Sequence, residues 1–248
     1  MRIALVAFLC FALLITNAPG VGAEGINLYW NDCSPFRGGA GVTGITNDCA
    51  SNSGSLVLVG SVVPPHGATG IIAMESELYV TSTAPVLPAW WQMQSAGCRA
   101  GSISVSTQFI GLSACANPWS SNALAANTYE TGAPCCSSPN LARLRIAEAM
   151  PAADSVAMST SLEYYAFEVL INRSKSIGTG SCEGCATATC IELRYIQLDQ
   201  LTAPITFGAI SRVEQNRFVT YNGAQANNCV GFTPVRNRTW GAVKAMYR

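Results

Sequence analysis

Histidine, lysine and charge of either sign are scarce in this chain, and each shortage excludes a class of function. A single histidine, His66, occurs in 248 residues, which excludes zinc-hydrolase motifs that need two histidines on one helix turn. The chain has 14 basic and 14 acidic residues, and its lysines are Lys175 and Lys244. Because basic residues supply most of the affinity for nucleic acids, this composition predicts no nucleic-acid partner.

Long apolar runs are also lacking, except at the N-terminus. Arg2 precedes an unbroken apolar run over residues 3–15, and Val21-Gly22-Ala23 supplies the small residues that precede a signal-peptidase cleavage site. A run of this length is shorter than the roughly 20 residues of a membrane-spanning helix. We therefore predict a signal peptide over 1–23. The mature chain, 24–248, is then secreted, periplasmic or on the cell surface, with no membrane span.

Cysteine, in contrast, is abundant after the predicted cleavage site, where all cysteines but Cys10 lie. An even number of cysteines in an exported chain is typical of a disulfide framework. Loop length favours pairing Cys33 with Cys49 and Cys98 with Cys115, because each pair closes a modest loop beside a predicted strand. Two further bridges are expected within the set Cys182, Cys185, Cys190 and Cys229.

Two groups of cysteines leave alternatives open. Cys182-Glu183-Gly184-Cys185, with Cys190, has a spacing that also suits zinc or a redox-active dithiol. A second CxxC to complete a zinc site is lacking, and a Gly-rich loop is an unusual place for a redox motif, so we favour disulfides. The neighbours Cys135 and Cys136 pair either with each other or with cysteines elsewhere.

Apolar residues recur with period two or in short runs bounded by Gly, Pro, Asn and Ser, which predicts strands. Phe167 and Val169, for example, lie opposite Glu168, so we expect this strand to bury one face. Residues 116–140 predict a long loop, and 239–247 a short terminal helix. The predicted strands are 26–30, 55–63, 70–81, 102–110, 141–149, 163–172, 189–199, 205–213 and 217–221.

These nine strands predict an all-β fold, a two-sheet antiparallel β-sandwich with disulfide-stapled loops and a short C-terminal helix. No internal repeat and no linker divides the mature chain, so we expect a single domain over 24–248.

Three segments resemble a group of uncharacterised secreted bacterial proteins. They are the opening Gly25-Ile26-Asn27-Leu28-Tyr29-Trp30-Asn31-Asp32-Cys33, the Pro88-Ala89-Trp90-Trp91 turn, and the closing Arg236-Asn237-Arg238-Thr239-Trp240-Gly241. The resemblance implies a secreted β-sandwich and brings no catalytic residues with it. The expected sandwich is also similar to cohesin-like and carbohydrate-binding modules, although a fold alone does not assign a function.

The tripeptide Asn-Asp-Cys occurs twice, at 31–33 and 47–49. If Cys33 and Cys49 are bonded, Asp32 and Asp48 come close enough to bind calcium together with Asn and carbonyl oxygens. We therefore predict no cofactor, with calcium as the one candidate. The alternative is that each Asn-Asp pair makes a side-chain-capped turn.

Two pairs of side chains are candidates for glycan chemistry. Trp90 and Trp91 lie among prolines, so one indole can pack inward while the other stacks on a sugar, and core packing of both is the alternative. Glu75 and Glu77 share one face of a predicted strand, as paired glycosidase carboxylates can. Solvated carboxylates on an outer face are the commoner case.

Together these patterns favour an exported, non-enzymatic structural or adhesive protein whose partner is a glycan or a cell-surface protein. One alternative is a carbohydrate-binding module that uses Trp90 or Trp91. Another is a secreted hydrolase of polysaccharides or esters that uses Glu75 and Glu77, or His66. No catalytic residue is assigned.

Overall fold

The structure is a computed structural model that describes residues 24–35, 38–202, 204–208, 216–225 and 229. The predicted signal peptide, the predicted terminal helix and the end of the predicted 205–213 strand lie outside these residues. Among the residues described, no helix is long and apolar enough to cross a membrane.

Two β-sheets make up the described part of the chain, which confirms the predicted all-β sandwich. The small sheet has the strand order β1-β3-β8-β5, and the large sheet has the order β2-β11-β9-β4-β7-β6 with β10 beside β9. Neighbouring strands are antiparallel except β2 and β11. The strands are β1 (Gly25–Trp30), β2 (Gly44–Ile45), β3 (Ser55–Val63), β4 (Ile71–Ser82), β5 (Ile103–Ser106), β6 (Leu124–Thr131), β7 (Leu141–Ala149), β8 (Tyr164–Asn172), β9 (Thr189–Gln200), β10 (Ile205–Gly208) and β11 (Phe218–Tyr221).

The core lies between the two sheets, where alternate side chains of each strand meet. Leu58 and Phe167 of the small sheet and Leu78 and Ile196 of the large sheet are almost completely buried. Gly60 lies opposite Phe167, and a Cβ atom at this position would overlap the Phe167 ring. The glycine therefore lets the aromatic ring lie flat against the neighbouring strand.

The small sheet is covered on its outer face too, so the expectation that β8 would bury one face was wrong. Glu168, on the face away from Phe167, is buried and accepts hydrogen bonds from the Ser106 side chain and the Phe109 backbone. The segment 107–123 covers this sheet, and the indole nitrogen of Trp119 donates to the Ala166 carbonyl at 3.1 Å. The large sheet thus carries the exposed face.

Two strands were missed, the two-residue β2 (Gly44–Ile45) and β6 (Leu124–Thr131). β6 lies inside 116–140, which the composition predicts to be a loop, and it pairs along its length with β7. Its side chains are mostly small or polar and alternate between exposed and half-buried, because β6 is the edge strand of the large sheet. An edge strand buries less apolar surface and therefore shows a weaker hydrophobic pattern.

Five disulfides connect the ten described cysteines, and the predicted pairs Cys33–Cys49 and Cys98–Cys115 are both wrong. Spacing favoured short loops, whereas the sheet order brings distant segments together. Cys182 and Cys185 bond outside their predicted set, and Cys190 and Cys229 bond within it. The pairs are Cys33–Cys115, Cys49–Cys185, Cys98–Cys182, Cys135–Cys136 and Cys190–Cys229.

Candidate functional site

Trp90 and Trp91 lie in the core and not on the surface. They belong to a short 3-10 turn, Ala89–Trp91, and both side chains are 0% exposed. The Trp90 ring stacks on Tyr221 at 5.7 Å between centroids and meets Trp91 edge to face at 5.0 Å. Neither indole offers a face to a sugar in this structure, so core packing, the alternative, is what the geometry shows.

Arg99 is buried against this aromatic cluster. Its guanidinium carbon lies 3.7 Å from the Trp90 ring centroid, and its nitrogens donate to the carbonyls of Trp90, Asn172 and Ser174. Burial lowers the pKa of Arg99 to about 10, so the side chain keeps its charge at neutral pH. It forms no ion pair with any described residue, and the ring and the carbonyls stabilise the charge instead.

Two disulfides and a tyrosine hold the same cluster together. Cys98 is bonded to Cys182, and Cys49 to Cys185. The Tyr221 hydroxyl donates to the Cys185 carbonyl at 2.8 Å. The loop carrying the CxxC segment is thus fastened to the core by disulfides, which leaves no thiolate of Cys182 or Cys185 for zinc or redox chemistry.

The predicted calcium site loses its basis, because Cys33 and Cys49 are not bonded to each other. Oδ1 of Asp32 accepts hydrogen bonds from the Cys33 backbone at 2.7 Å and from the Tyr165 hydroxyl at 2.9 Å. Oδ1 of Asp48 accepts one from the Ala50 backbone at 3.1 Å. Each aspartate therefore accepts a backbone hydrogen bond within its own segment, and Asp32 is also tied to β8 through Tyr165.

A second arrangement of metal-binding residue types surrounds the first disulfide. The sulfurs of Cys33 and Cys115 and a carboxylate oxygen of Glu163 lie within 4.8 Å of one another. Both sulfurs are bonded to each other, and Glu163 accepts hydrogen bonds from Asn27 at 2.8 Å and Ser61 at 2.5 Å. These partners make the cluster a buried polar contact between strands rather than a set of free ligands.

The outer face of the large sheet carries two sets of ion pairs. On one side, Arg143 of β7 contacts Glu130 of β6 at 2.7 Å and Glu77 of β4 at 3.7 Å. On the other side, Oε1 of Glu192 in β9 contacts Arg194 at 2.9 Å and Arg217 at 3.4 Å. These charges thus neutralise one another, within β9 for Glu192 and Arg194 and between neighbouring segments for the other pairs.

A depression with a volume of about 240 Å³ opens on this face beside the Arg143 ion pairs. Ala126 of β6 lies directly opposite Ala147 of β7, so two adjacent strands present only methyl groups at its floor. Larger side chains stand around these methyl groups, namely those of Glu75, Thr128, Arg145 and Tyr195.

Arg145 and Glu75 are exposed at this depression, and neither charge is paired with another described residue. Within the described residues, neither forms an ion pair or a side-chain hydrogen bond. Arg145 lies opposite Thr128 on one neighbouring strand and opposite Glu77 on the other, and Glu77 is already held by Arg143. The depression therefore combines a cation, an anion and an aromatic ring at a surface open to solvent.

Of the predicted hydrolase residues, the structure brings only Glu75 into this depression. Glu77 shares its strand face but is paired with Arg143. His66 is exposed in the turn that follows β3 and is not one of the lining residues. The sequence alone missed Arg145 and Tyr195, because their meeting depends on the pairing of β7, β4 and β9, which no local pattern specifies.

No protein-family model matches this chain, and no curated protein matches it. Among solved structures, the chain is similar to the cohesin module from Clostridium perfringens ATCC13124 family 33 glycoside hydrolase. The TM-score is 0.36 and the identity 9%, over 81% of this chain and 98% of that chain. A likeness this distant transfers neither a ligand nor an activity.

Proposed function

We propose that this chain is an exported, non-catalytic binding module that holds a saccharide unit in the depression on the outer face of its large sheet. One observation carries the proposal. Arg145 and Glu75 have no charged partner in the part of the chain that the structure describes, and they stand around a floor of methyl groups on a face where the neighbouring charges are paired. Unsatisfied polar groups around an apolar floor are the usual elements of a small-molecule site.

Size and chemistry both favour a sugar. The depression is smaller than the roughly 300–1,000 Å³ of typical drug-sized sites, so it accommodates one ring of a chain that runs on over the open face. The Tyr195 ring and the two alanine methyl groups suit the apolar face of a pyranose. Arg145 can donate to hydroxyl or carboxylate oxygens, and Glu75 can accept from hydroxyl groups.

The disulfides fit a protein that works outside the cytoplasm, where thiols oxidise. Four of them join segments far apart in the sequence and keep the sandwich rigid. A rigid sheet is a suitable support for a shallow site, because little order has to be imposed when the ligand binds. We place the module on the cell surface or in the secreted fraction.

An array of mono- and oligosaccharides that includes uronic acids and amino sugars tests the proposal. The best-binding sugar is then titrated by calorimetry against the native protein and against Arg145→Ala. Because charge-assisted hydrogen bonds contribute about 1.5–3 kcal/mol, we expect Arg145→Ala to weaken binding at least about tenfold. Ala147→Leu, which fills the floor, should weaken it as well.

The matched control is Arg143→Ala made together with Glu77→Gln. Arg143 is the same residue type on the same face, two residues along the same strand, and Glu77→Gln prevents the carboxylate that Arg143 holds from pairing with Arg145 instead. This double variant should leave the affinity within about twofold. Equal losses for the double variant and Arg145→Ala would show that the depression is not the binding site. An array with no binding sugar would refute the saccharide proposal itself.

The hydrolase hypothesis is tested on the same material, since Glu75 lines the depression. Binding without turnover of the bound sugar supports the module. Turnover that Glu75→Gln abolishes would make Glu75 a catalytic carboxylate and overturn the non-catalytic part of the proposal.

A further inference from the structure

The disulfide between Cys135 and Cys136 differs from the other four. Its cysteines are adjacent, whereas the others are separated by 39 to 136 residues. A disulfide stabilises a fold mainly by restricting the unfolded chain, and the restriction grows with the length of the closed loop. A bond between neighbours closes no loop of this kind, so it contributes almost nothing to holding the sandwich together.

The bond lies in the surface segment 132–140, which connects β6 to β7. Cys135 is half-buried, and its neighbours Gly132, Ala133 and Pro134 are exposed. Cys136 is buried, its backbone donates to the Gly132 carbonyl at 3.0 Å, and its sulfur lies 3.8 Å from the Glu130 carbonyl. Cys135 is therefore the member that a reagent in solution reaches first.

Exposure alone does not separate this bond from the others, because Cys49 and Cys98 are half-buried as well. Their partners, Cys185 and Cys182, are buried in the aromatic cluster. The packed fold holds those sulfurs together, so their reduction is opposed by the stability of the whole domain. Reduction of Cys135–Cys136 leaves the sheet pairing and the four long-range disulfides in place.

We propose that Cys135–Cys136 is a reversible thiol–disulfide exchange site, open to low-molecular-weight thiols outside the cell while the other four disulfides stay closed. Neither cysteine lines the saccharide depression, so this exchange does not depend on the proposed function. Its product is a folded protein in which only this disulfide is reduced.

Exchange proceeds in two balanced steps. The thiolate of an external thiol attacks the Cys135 sulfur, the Cys135–Cys136 bond breaks, and the electron pair leaves on the Cys136 sulfur, which takes up a proton. A second thiolate attacks the external sulfur of the mixed disulfide, releasing the oxidised reagent and a Cys135 thiolate that is protonated. Two thiols are thereby oxidised to one disulfide, and the protein gains an adjacent pair of thiols.

Graded reduction with differential alkylation tests the proposal. The folded protein is equilibrated with increasing reduced glutathione or dithiothreitol, free thiols are trapped with iodoacetamide, and each cysteine is quantified by mass spectrometry. We expect Cys135 and Cys136 to be labelled at reductant concentrations at least tenfold below those for any other cysteine, with unchanged circular dichroism. Earlier labelling of Cys98 and Cys182, or simultaneous labelling of all pairs, would overturn the proposal.

Two double variants distinguish a redox-active disulfide from one that stabilises the fold. Cys135→Ser/Cys136→Ser should abolish the early labelling and keep the melting temperature within about 2 °C of the native value. Cys98→Ser/Cys182→Ser, the matched control, should lower it by much more. Equal losses would show that Cys135–Cys136 is structural. After mild reduction, glutathione disulfide should restore the same bond, and failure to restore it would contradict reversibility.

Discussion

The aromatic cluster and the outer face of the large sheet each hold an arginine with no ion pair among the described residues, but only in the cluster do other described groups stabilise its charge. In the aromatic cluster, Arg99 is fully buried and its charge is stabilised by the Trp90 ring and three backbone carbonyls. On the outer face of the large sheet, Arg145 is exposed and has no partner among the described residues. The first arrangement serves stability, and the second leaves a charge available to a ligand.

Arg143 is intermediate between Arg99 and Arg145. It is on the same strand face as Arg145, yet it contacts both Glu130 and Glu77. Residue type therefore does not distinguish a structural arginine from a binding arginine. The distinction lies in whether the fold supplies the counter-charge, so substitutions of the three arginines should have very different consequences.

The largest effect on stability is expected at Arg99. Arg99→Met keeps much of the side-chain volume but removes the Arg99 donors from the buried carbonyl of Trp90 and the half-buried carbonyls of Asn172 and Ser174. We expect a loss of about 3–5 kcal/mol in the free energy of unfolding, measured by urea denaturation. A loss below about 1 kcal/mol would show that the aromatic cluster does not depend on the charge of Arg99.

A smaller effect, visible as a pH dependence, is expected at Glu148. This side chain is fully buried in β7, and neither carboxylate oxygen has a partner among the described residues. Burial raises the pKa of Glu148 well above the ordinary value of 4.5. Between pH 4.5 and the raised pKa of Glu148, the folded state therefore binds more protons than the unfolded state. The free energy of unfolding falls as the pH rises through this range.

Glu148→Gln removes this titration while keeping the shape of the side chain. We expect a flatter profile of unfolding free energy between pH 5 and about 8, with a gain of about 1–2 kcal/mol at the upper end. Thermal unfolding across this range measures it. A profile as steep as that of the native protein would mean that Glu148 does not cause the pH dependence of stability. Glu168 and Glu192, whose pKa values are also raised by burial, would then be the groups that cause it.

The smallest effects on stability are expected on the outer face. Arg143→Ala breaks two partly exposed ion pairs and should cost about 0.2–1 kcal/mol. Arg145→Ala should change the unfolding free energy by less than about 0.5 kcal/mol, because Arg145 has no ion-pair partner among the described residues. Chemical denaturation of both variants measures the difference. A larger loss at Arg145 would reveal a structural role and remove the contrast with Arg143.

Features that depend on residues close together in the sequence were predicted well, and features that depend on distant residues were not. β3 and β7 begin and end at their predicted residues, because period-two burial is a local property. The disulfide pairs were mispredicted because they follow from sheet order, which brings Cys33 to Cys115. Trp90 and Trp91 were predicted to bind a sugar because the sequence around them does not show that they are buried. They pack against Tyr221, which is far away in the sequence.

The candidate site was the least predictable part. Glu75 was identified for its place on a strand face, but its partners in the depression come from three other strands. Ala126 and Ala147 carry no chemical signal on their own, and they matter because the register places them opposite each other. Sites built from ordinary residues in this way become visible only when strand pairing is known.

Backbone amide signals in nuclear magnetic resonance spectra, followed while the best-binding saccharide is titrated into the native protein, locate the binding site. We predict saturable shifts confined to the residues around Glu75, Arg145 and Tyr195, with an affinity at least about tenfold weaker in Arg145→Ala and nearly unchanged in Arg143→Ala combined with Glu77→Gln. Shifts centred on the Trp90 cluster, or an unchanged affinity in Arg145→Ala, would contradict the claim that Arg145 marks the binding site.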